Sequence, residues 1–178
     1  GRYFLPPVVN AFKKLFPKVH LVLQQASPVE IVEMLLLGVA DIGIATESLM
    51  AEDNLGSVSF YNWKHCIITP NDHPLAQLNP KEITLEKLAE YPIITYHGGF
   101  TGRSKIDTAF DDAGLNVDIV MSALDADVIK TYVELGMGVG IVNDVAYDTE
   151  RDHRLKQIDT DLFGLNNTWI AVRKGHLL

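Results

Sequence analysis

A glycine-rich stretch, GGFTGRS at residues 98–104, precedes a helical pattern and carries residue types that could bind an anion. Backbone N–H groups at the start of a helix, the positive end of the helix dipole and the Thr101 hydroxyl would together form a small anion site. A Walker A loop is disfavoured, because the spacing is one residue short and Arg103 stands in place of Lys. Spacing alone favours the plainer alternative, in which Thr101 is a helix N-cap and Gly102 an ordinary early-helix residue.

Other polar residues lie where a predicted strand ends or a predicted helix begins. Thr46 and Ser48 follow the apolar run DIGIA, and ligands of α/β proteins bind at such strand ends, although either residue could be a plain turn residue. Asp125 and Asp127 precede VIKTYV, and because Asp is favoured at helix starts we expect an N-cap there and not a ligand.

Sets of residues for catalysis or metal binding are weak. The six His residues show no HxxxH or HExxH spacing, and there is no GxSxG motif. Cys66 follows His65 directly, but neighbours in a strand point to opposite faces, so we expect Cys66 in the core. Tyr61 and Trp63 share a face and are expected in the core, with a cleft wall as the alternative. We expect no enzymatic activity, no metal and no cofactor.

The composition predicts a globular protein that does not itself bind nucleic acid. The chain has 178 residues, of which 47% are hydrophobic, and its net charge is −8. That charge argues against a nucleic-acid-binding surface, because binding to the phosphate backbone needs a basic patch. A single Cys favours a reducing compartment, the cytoplasm. No signal peptide and no apolar run of 18 residues is present. The abrupt start at Gly1 suggests a fragment of a longer protein.

Helical and strand patterns alternate along the chain. A helix is predicted near residues 5–16, and a capping box at Ser27 with Gly38 at the far end predicts a second one. A strand-rich section separates these from a later βα series that includes a helix closed by Gly114. The predicted strands are 19–24, 41–45, the section 58–70, 92–96, 117–123, 139–142, and the late segments 155–158 and 168–173. Two βα series divided in this way predict two α/β lobes with a ligand cleft between them.

Four stretches resemble the effector-binding domain of LysR-type transcriptional regulators of the CysB/Cbl kind. They are RYFLPPVVNAFKKLFPKV, EIVEMLLLGVADIGIATE, the pair DHPL and EYPIITYHGGFTGRSKIDTAF, and DADVIKTYVELGMGVGIV. The ADIGIA run is generic to the family, whereas FTGRS followed by DADVIKTYV is more specific to the CysB kind. Together these stretches extend over nearly the whole chain.

The resemblance implies two Rossmann-like lobes of the periplasmic-binding-protein type II kind, joined by crossover strands near residues 68–70 and 166–169. Residues 1–69 plus about 167–178 would form lobe I, and 70–166 lobe II. Thr46 and Thr101 match two anion-holding Thr positions, and Gly102 would add a backbone N–H. From its place one position further along the helix, Arg103 is expected to point away or to brace the loop, with a direct pair with the anion as the alternative.

The resemblance also implies the setting of the domain. A Thr-rich segment and a winged helix-turn-helix that binds promoter DNA would precede Gly1, and a closing helix would follow Leu178. The effector would be sulfate, thiosulfate, acetylserine or adenosine phosphosulfate. The full-length protein would form homodimers or homotetramers and act with RNA polymerase, without contacting a membrane. The alternatives are a solute-binding protein of a transport system and an enzyme on the same scaffold.

Overall fold

A computed structural model describes residues 5–45 and 53–175. Within them, seven strands form a mixed sheet flanked by helices. The strands are β1 (Gly43–Ala45), β2 (Leu55–Pro70), β3 (Ile93–Tyr96), β4 (Ile119–Ala123), β5 (Val139–Asn143), β6 (Leu155–Ile158) and β7 (Leu165–Arg173). Their order is β1-β7-β2-β5-β3-β4, with β6 also paired to β2. Strands β5, β3 and β4 run parallel, whereas the pairs that involve β2 or β7 are antiparallel.

The described ranges contain five α-helices, three of which begin at a side-chain N-cap. They are α1 (Leu5–Leu15), α2 (Pro28–Leu36), α3 (Leu85–Ala89), α4 (Arg103–Asp112) and α5 (Ala126–Glu134). The capping box predicted for α2 is confirmed, because the Ser27 N–H donates to Glu30 Oε2 over 2.8 Å and the Glu30 N–H donates back to Ser27 Oγ. Asp125 is confirmed as the N-cap of α5, accepting from the Val128 N–H at 3.1 Å.

The strand predicted at residues 19–24 is wrong. The segment has no regular secondary structure, and Val22 and Leu23 are 68% and 61% exposed. A β-rich composition makes a strand only where a neighbouring strand pairs with its N–H and C=O groups. Among the described residues no strand pairs with this segment, and β1 instead pairs with β7.

Strand β2 is long and changes its partners part-way along. Residues 55–64 pair with β7, whereas residues 65–70 pair with β5 and β6. A register shift between Ser59 and Tyr61 interrupts the first pairing. The change of partner lies at Lys64 and His65, a few residues before the predicted crossover. The lobe boundaries given above remain a prediction.

Alternation along β2 divides the apolar interior between the two faces of the sheet. Cys66 and Ile68 pack in one cluster with Ile94, whereas Ile67 packs in another with Phe110. The expectation that Cys66 lies in the core is therefore confirmed. A third, smaller cluster contains Leu35, Ala45, Leu55 and Ala171, and it fixes α2 against β1 and β7. No helix in the described ranges combines the length and the apolar character needed to cross a membrane.

Candidate functional site

The loop after β3 has an unusual backbone that sets the start of α4. Thr101 has a φ of 43° and Gly102 a φ of 71°, both in the left-handed region. Such a φ is strained for Thr and costs about 1–3 kcal/mol, whereas Gly adopts it freely. The expectation that Thr101 caps the helix is wrong, since Gly102 is the N-cap and makes no side-chain capping bond. A capping side chain needs an extended backbone, and two successive left-handed residues do not provide one.

His65 on β2 lies beneath this loop and is bonded to it. Its Nε2 lies 2.9 Å from the Thr101 carbonyl oxygen. Since a carbonyl only accepts, Nε2 carries the proton and donates. The side chain is fully buried. Burial lowers the pKa of His65 to about 4, with a smaller lowering by Lys105, against the opposing effect of the bond to Thr101. The imidazole is therefore neutral at pH 7.

Gly102 touches the sheet so closely that a side chain has no room. A Cβ built on Gly102 would lie 2.8 Å from Asn166 Oδ1 and 2.8 Å from His65 Cε1. Both contacts lie well inside van der Waals distance, so Gly is required here for its space as well as for its φ. The start of α4 is consequently seated on strands β2 and β7.

Arg103 braces the loop from its other end. Its Nη1 donates to the Tyr96 carbonyl at 2.7 Å, and its Nε bonds to Asp107 Oδ1 at 2.8 Å. These bonds tie the first turn of α4 to the last residue of β3. This is the bracing role that the sequence favoured, and the alternative of a direct pair with an anion stays a prediction.

Polar groups without partners in the described structure lie in the loop and on strands β2 and β7. The Thr101 hydroxyl and the Thr101 and Gly102 N–H groups make no hydrogen bond within residues 5–45 and 53–175. On the neighbouring strands, Trp63 Nε1, Asn166 Nδ2 and Thr168 Oγ1 are buried and unpaired in the described structure. Cross-strand register explains the grouping, because Trp63 lies opposite Asn166 and Tyr61 opposite Thr168. Polar groups buried in this way are costly unless a water or a ligand bonds to them.

The remaining predicted positions fall into separate places. Thr46 and Ser48 lie outside the described residues, directly after β1. Asp127 pairs with Lys130 at 3.9 Å, away from any N-cap role. Trp63 is buried, as expected for a core residue, and Tyr61 is half-buried.

Sequence reasoning missed His65, Asn166 and Thr168. The alternation that places Tyr61, Trp63 and His65 on one face could have indicated His65. Asn166 and Thr168 join the site only through the pairing of β2 with β7, which are about a hundred residues apart and whose register the sequence does not reveal.

A hollow elsewhere on the surface does not coincide with this site. A shallow hollow of about 290 Å³ is lined by Ser104, Lys105, Thr108, Ala109 and Phe163, none of which is among the predicted ligand residues. Among residues 5–45 and 53–175, no group of three or more His, Cys, Asp or Glu side chains could hold a metal ion.

Comparison with known proteins identifies the family. The model of the LysR substrate binding domain matches residues 1–178. The chain belongs to the LysR family. LysR effector-binding domains have the periplasmic-binding-protein type II fold, and the mixed sheet described above is that fold.

Close relatives within the LysR family are regulators from bacteria. The chain is 51% identical to the HTH-type transcriptional regulator SsuR of Burkholderia cenocepacia, over 100% of this chain and 58% of SsuR. It is 49% identical to CysB of the same species, over 100% of this chain and 56% of CysB. The chain thus spans little more than half the length of these relatives. They are transcriptional regulators and not enzymes, as the sequence led us to expect.

A solved structure agrees closely with this LysR-family domain. The cofactor-binding domain of the Cbl transcriptional regulator superimposes with a TM-score of 0.94 at 46% identity, covering 99% of this chain and 77% of that one. The chain is therefore a LysR-type effector domain of the CysB, Cbl and SsuR type.

Proposed function

We propose that this domain senses a small anion and thereby controls transcription of genes for sulfur assimilation and cysteine biosynthesis. The observation that carries the proposal is 49–51% identity to SsuR and CysB over the whole chain. The effector is sulfate, thiosulfate, acetylserine or adenosine phosphosulfate, and it binds in the cleft between the two lobes.

The chemistry of the loop supports an anion held by neutral donors. The Thr101 hydroxyl and the Thr101 and Gly102 N–H groups lack partners among the described residues, and the positive end of the α4 dipole lies beside them. Each such contact contributes about 0.5–2 kcal/mol. Thr46 provides a further hydroxyl from the other lobe. Arg103 supports the loop, and no full positive charge has to bind the anion, which suits reversible sensing.

The full-length protein acts as a cytoplasmic homodimer or homotetramer in this proposal. A winged helix-turn-helix outside this chain binds promoter DNA, and the assembly acts with RNA polymerase. The acidic charge of the domain, −8, agrees with a part that does not itself contact DNA. A transport-type solute-binding protein is not favoured, because the relatives are named transcriptional regulators.

Substitution of the two Thr residues in the full-length regulator tests the site. We expect Thr46→Val and Thr101→Val each to weaken binding of sulfate and adenosine phosphosulfate several-fold, because each substitution removes one hydroxyl that donates a hydrogen bond to the anion. Calorimetry measures both affinities. The melting temperature without ligand should remain nearly unchanged. Thr149→Val is the matched control, since Thr149 is exposed in a turn remote in sequence from both Thr residues.

Unaltered affinity in both variants would contradict the anion site. Calorimetry of the parent protein against all four compounds identifies the effector. The four share an anionic group but differ in size and in their other functional groups, so their affinities should differ.

A further inference from the structure

We propose that His65 is a positioning residue for effector binding, which holds the loop of residues 97–102 in its binding shape through the bond from Nε2 to the Thr101 carbonyl. The inference rests on the proposed function, in which the loop binds the anion. His65 itself does not contact the effector.

The loop is attached near its two ends and is open in its middle. A Cβ built on Gly98 or on Gly99 would meet no atom within 4 Å, and both residues are exposed. Within the loop, the Phe100 N–H donates to the His97 carbonyl at 3.1 Å, and Phe100 packs against the apolar cluster that contains Ile94. At its start, the His97 N–H donates to the Ala123 carbonyl at 2.8 Å and Arg103 bonds to the end of β3. At its end, His65 bonds to the Thr101 carbonyl where the chain enters α4.

Thr101 is the residue that needs an external restraint. Its φ of 43° is unfavourable for a residue with a Cβ, so an unrestrained loop would relax toward a negative φ. Rotation of that backbone would turn the Thr101 carbonyl away from His65 and reorient the Gly102 N–H. The bond from His65 opposes this rotation directly, because it acts on the Thr101 carbonyl.

His65 is itself held rigidly. Its ring lies edge-on to Trp63, with centroids 4.9 Å apart, and edge-on to Phe163 at 6.0 Å. Tyr96 lies 6.4 Å away. A ring enclosed in this way has little freedom to follow a moving loop. The position of the imidazole therefore sets the position of the Thr101 carbonyl.

A purely structural role does not account for the choice of residue. An apolar side chain would fill the same space without burying a polar ring, and His65 Nδ1 is buried without a partner in the described structure. Burying such a nitrogen is unfavourable. The imidazole therefore contributes something that packing does not, and the geometry assigns this to its Nε2–H donor.

Two substitutions in the full-length regulator separate donation from packing. His65→Gln can keep an N–H donor near the position of Nε2, whereas His65→Met fills a similar volume without a donor. We expect His65→Met to weaken sulfate and thiosulfate binding about five-fold or more, the equivalent of one hydrogen bond, and His65→Gln to bind within about two-fold of the parent. His153→Met is the matched control, because His153 is exposed.

Hydrogen exchange without ligand provides a readout that is independent of binding. The Phe100 and Arg103 N–H groups bond to the His97 and Phe100 carbonyls, so their exchange reports the shape of the loop. They should exchange faster in His65→Met than in the parent, and at the parent rate in His65→Gln.

The outcomes distinguish this inference from the proposed function. If no effector binds to the parent, the proposed function fails, whereas faster exchange in His65→Met alone still supports the positioning role. Equal binding and exchange in His65→Met and the parent overturn it, as do equal losses in both variants. If His65→Met does not fold, Gly102→Ala disturbs the same contact from the loop side and should weaken binding and speed Arg103 exchange; parent-like values would overturn the inference.

Discussion

At the scale of single residues, the imidazole of His65 is an ionisable group in an apolar enclosure. Burial lowers its pKa to about 4, from an ordinary value of 6.5. The unfolded chain therefore binds a proton between these two values where the folded chain does not. Protonation favours the unfolded state. The contribution of the neutral His65 to the free energy of unfolding is therefore fully present above pH 6.5 and is lost as the pH falls toward 4.

This linkage predicts a pH-dependent difference between the parent and His65→Gln. Between pH 7 and pH 5, the free energy of unfolding of the parent should fall more steeply than that of His65→Gln, because Gln has no proton to take up. Urea unfolding at several pH values measures both slopes. Thr149→Val, at an exposed residue without an ionisable side chain, is the control and should keep the slope of the parent. Parallel slopes for the parent and His65→Gln would show that His65 titrates normally.

At the scale of elements, α5 is fixed by a buried ion pair. Lys130 and Asp152 are 7% and 8% exposed, and Lys130 Nζ lies 2.8 Å from Asp152 Oδ2. Asp152 also accepts from the Asp148 N–H at 2.8 Å. The pair therefore ties α5 to the turn before β6, and removal of one partner leaves the other charge buried.

Substitution of Lys130 should destabilise the domain strongly. We expect Lys130→Met to lower the free energy of unfolding by about 3 kcal/mol, because Asp152 loses its cation in a buried place. The double variant Lys130→Met/Asp152→Asn should recover part of this loss, since no charge then remains buried. Lys81→Met, at an exposed Lys, should change stability by less than about 0.5 kcal/mol. Denaturant unfolding measures all three, and a double variant no more stable than Lys130→Met would contradict the explanation.

Most elements could be predicted because they depend on local chemistry. The pairing of strands that are distant in the sequence could not be predicted. The Ser27, Thr84 and Asp125 caps depend on neighbours within three residues, so the sequence contains them completely. The segment 19–24 has strand composition but no pairing strand among the described residues. At the candidate site, Thr101 and Gly102 were predicted from their position before a helix. Asn166 was not, because its place depends on the register of β2 with β7.

At the scale of the whole molecule, α1 presents an apolar surface. None of its residues is buried, and Val8, Leu15 and the adjoining Phe16 are 44%, 73% and 53% exposed. The sequence pattern alone predicts apolar stripes on residues 6–16 and on the helix at residues 102–113, each wide enough for both a core and a dimer contact. The prediction of an exposed apolar stripe on α4 is wrong. Helix α4 buries Ile106 and Phe110 and exposes polar residues such as Asp107 and Thr108.

We predict that effector domains associate in antiparallel dimers through the exposed apolar surface of α1. Sedimentation should show dimers at micromolar concentration. Leu15→Lys should favour monomers, because it places a charge on the apolar surface that association would bury. Leu135→Lys, on the equally exposed end of α5, is the control and should leave dimers intact. A strict monomer at high concentration, or equal dissociation of both variants, would contradict this interface.

Strand β2 also has a mechanical consequence. It is one strand whose residues 55–64 pair with β7, apart from the irregularity between Ser59 and Tyr61, and whose remainder pairs with β5 and β6. Any rotation of one half against the other must therefore twist this strand where the pairing changes, at Lys64 and His65. His65 is also the residue that donates a hydrogen bond to the Thr101 carbonyl. The point where β2 would twist and the anchor of the loop thus share one residue. A displacement of the loop therefore acts on the twist of β2 directly through His65.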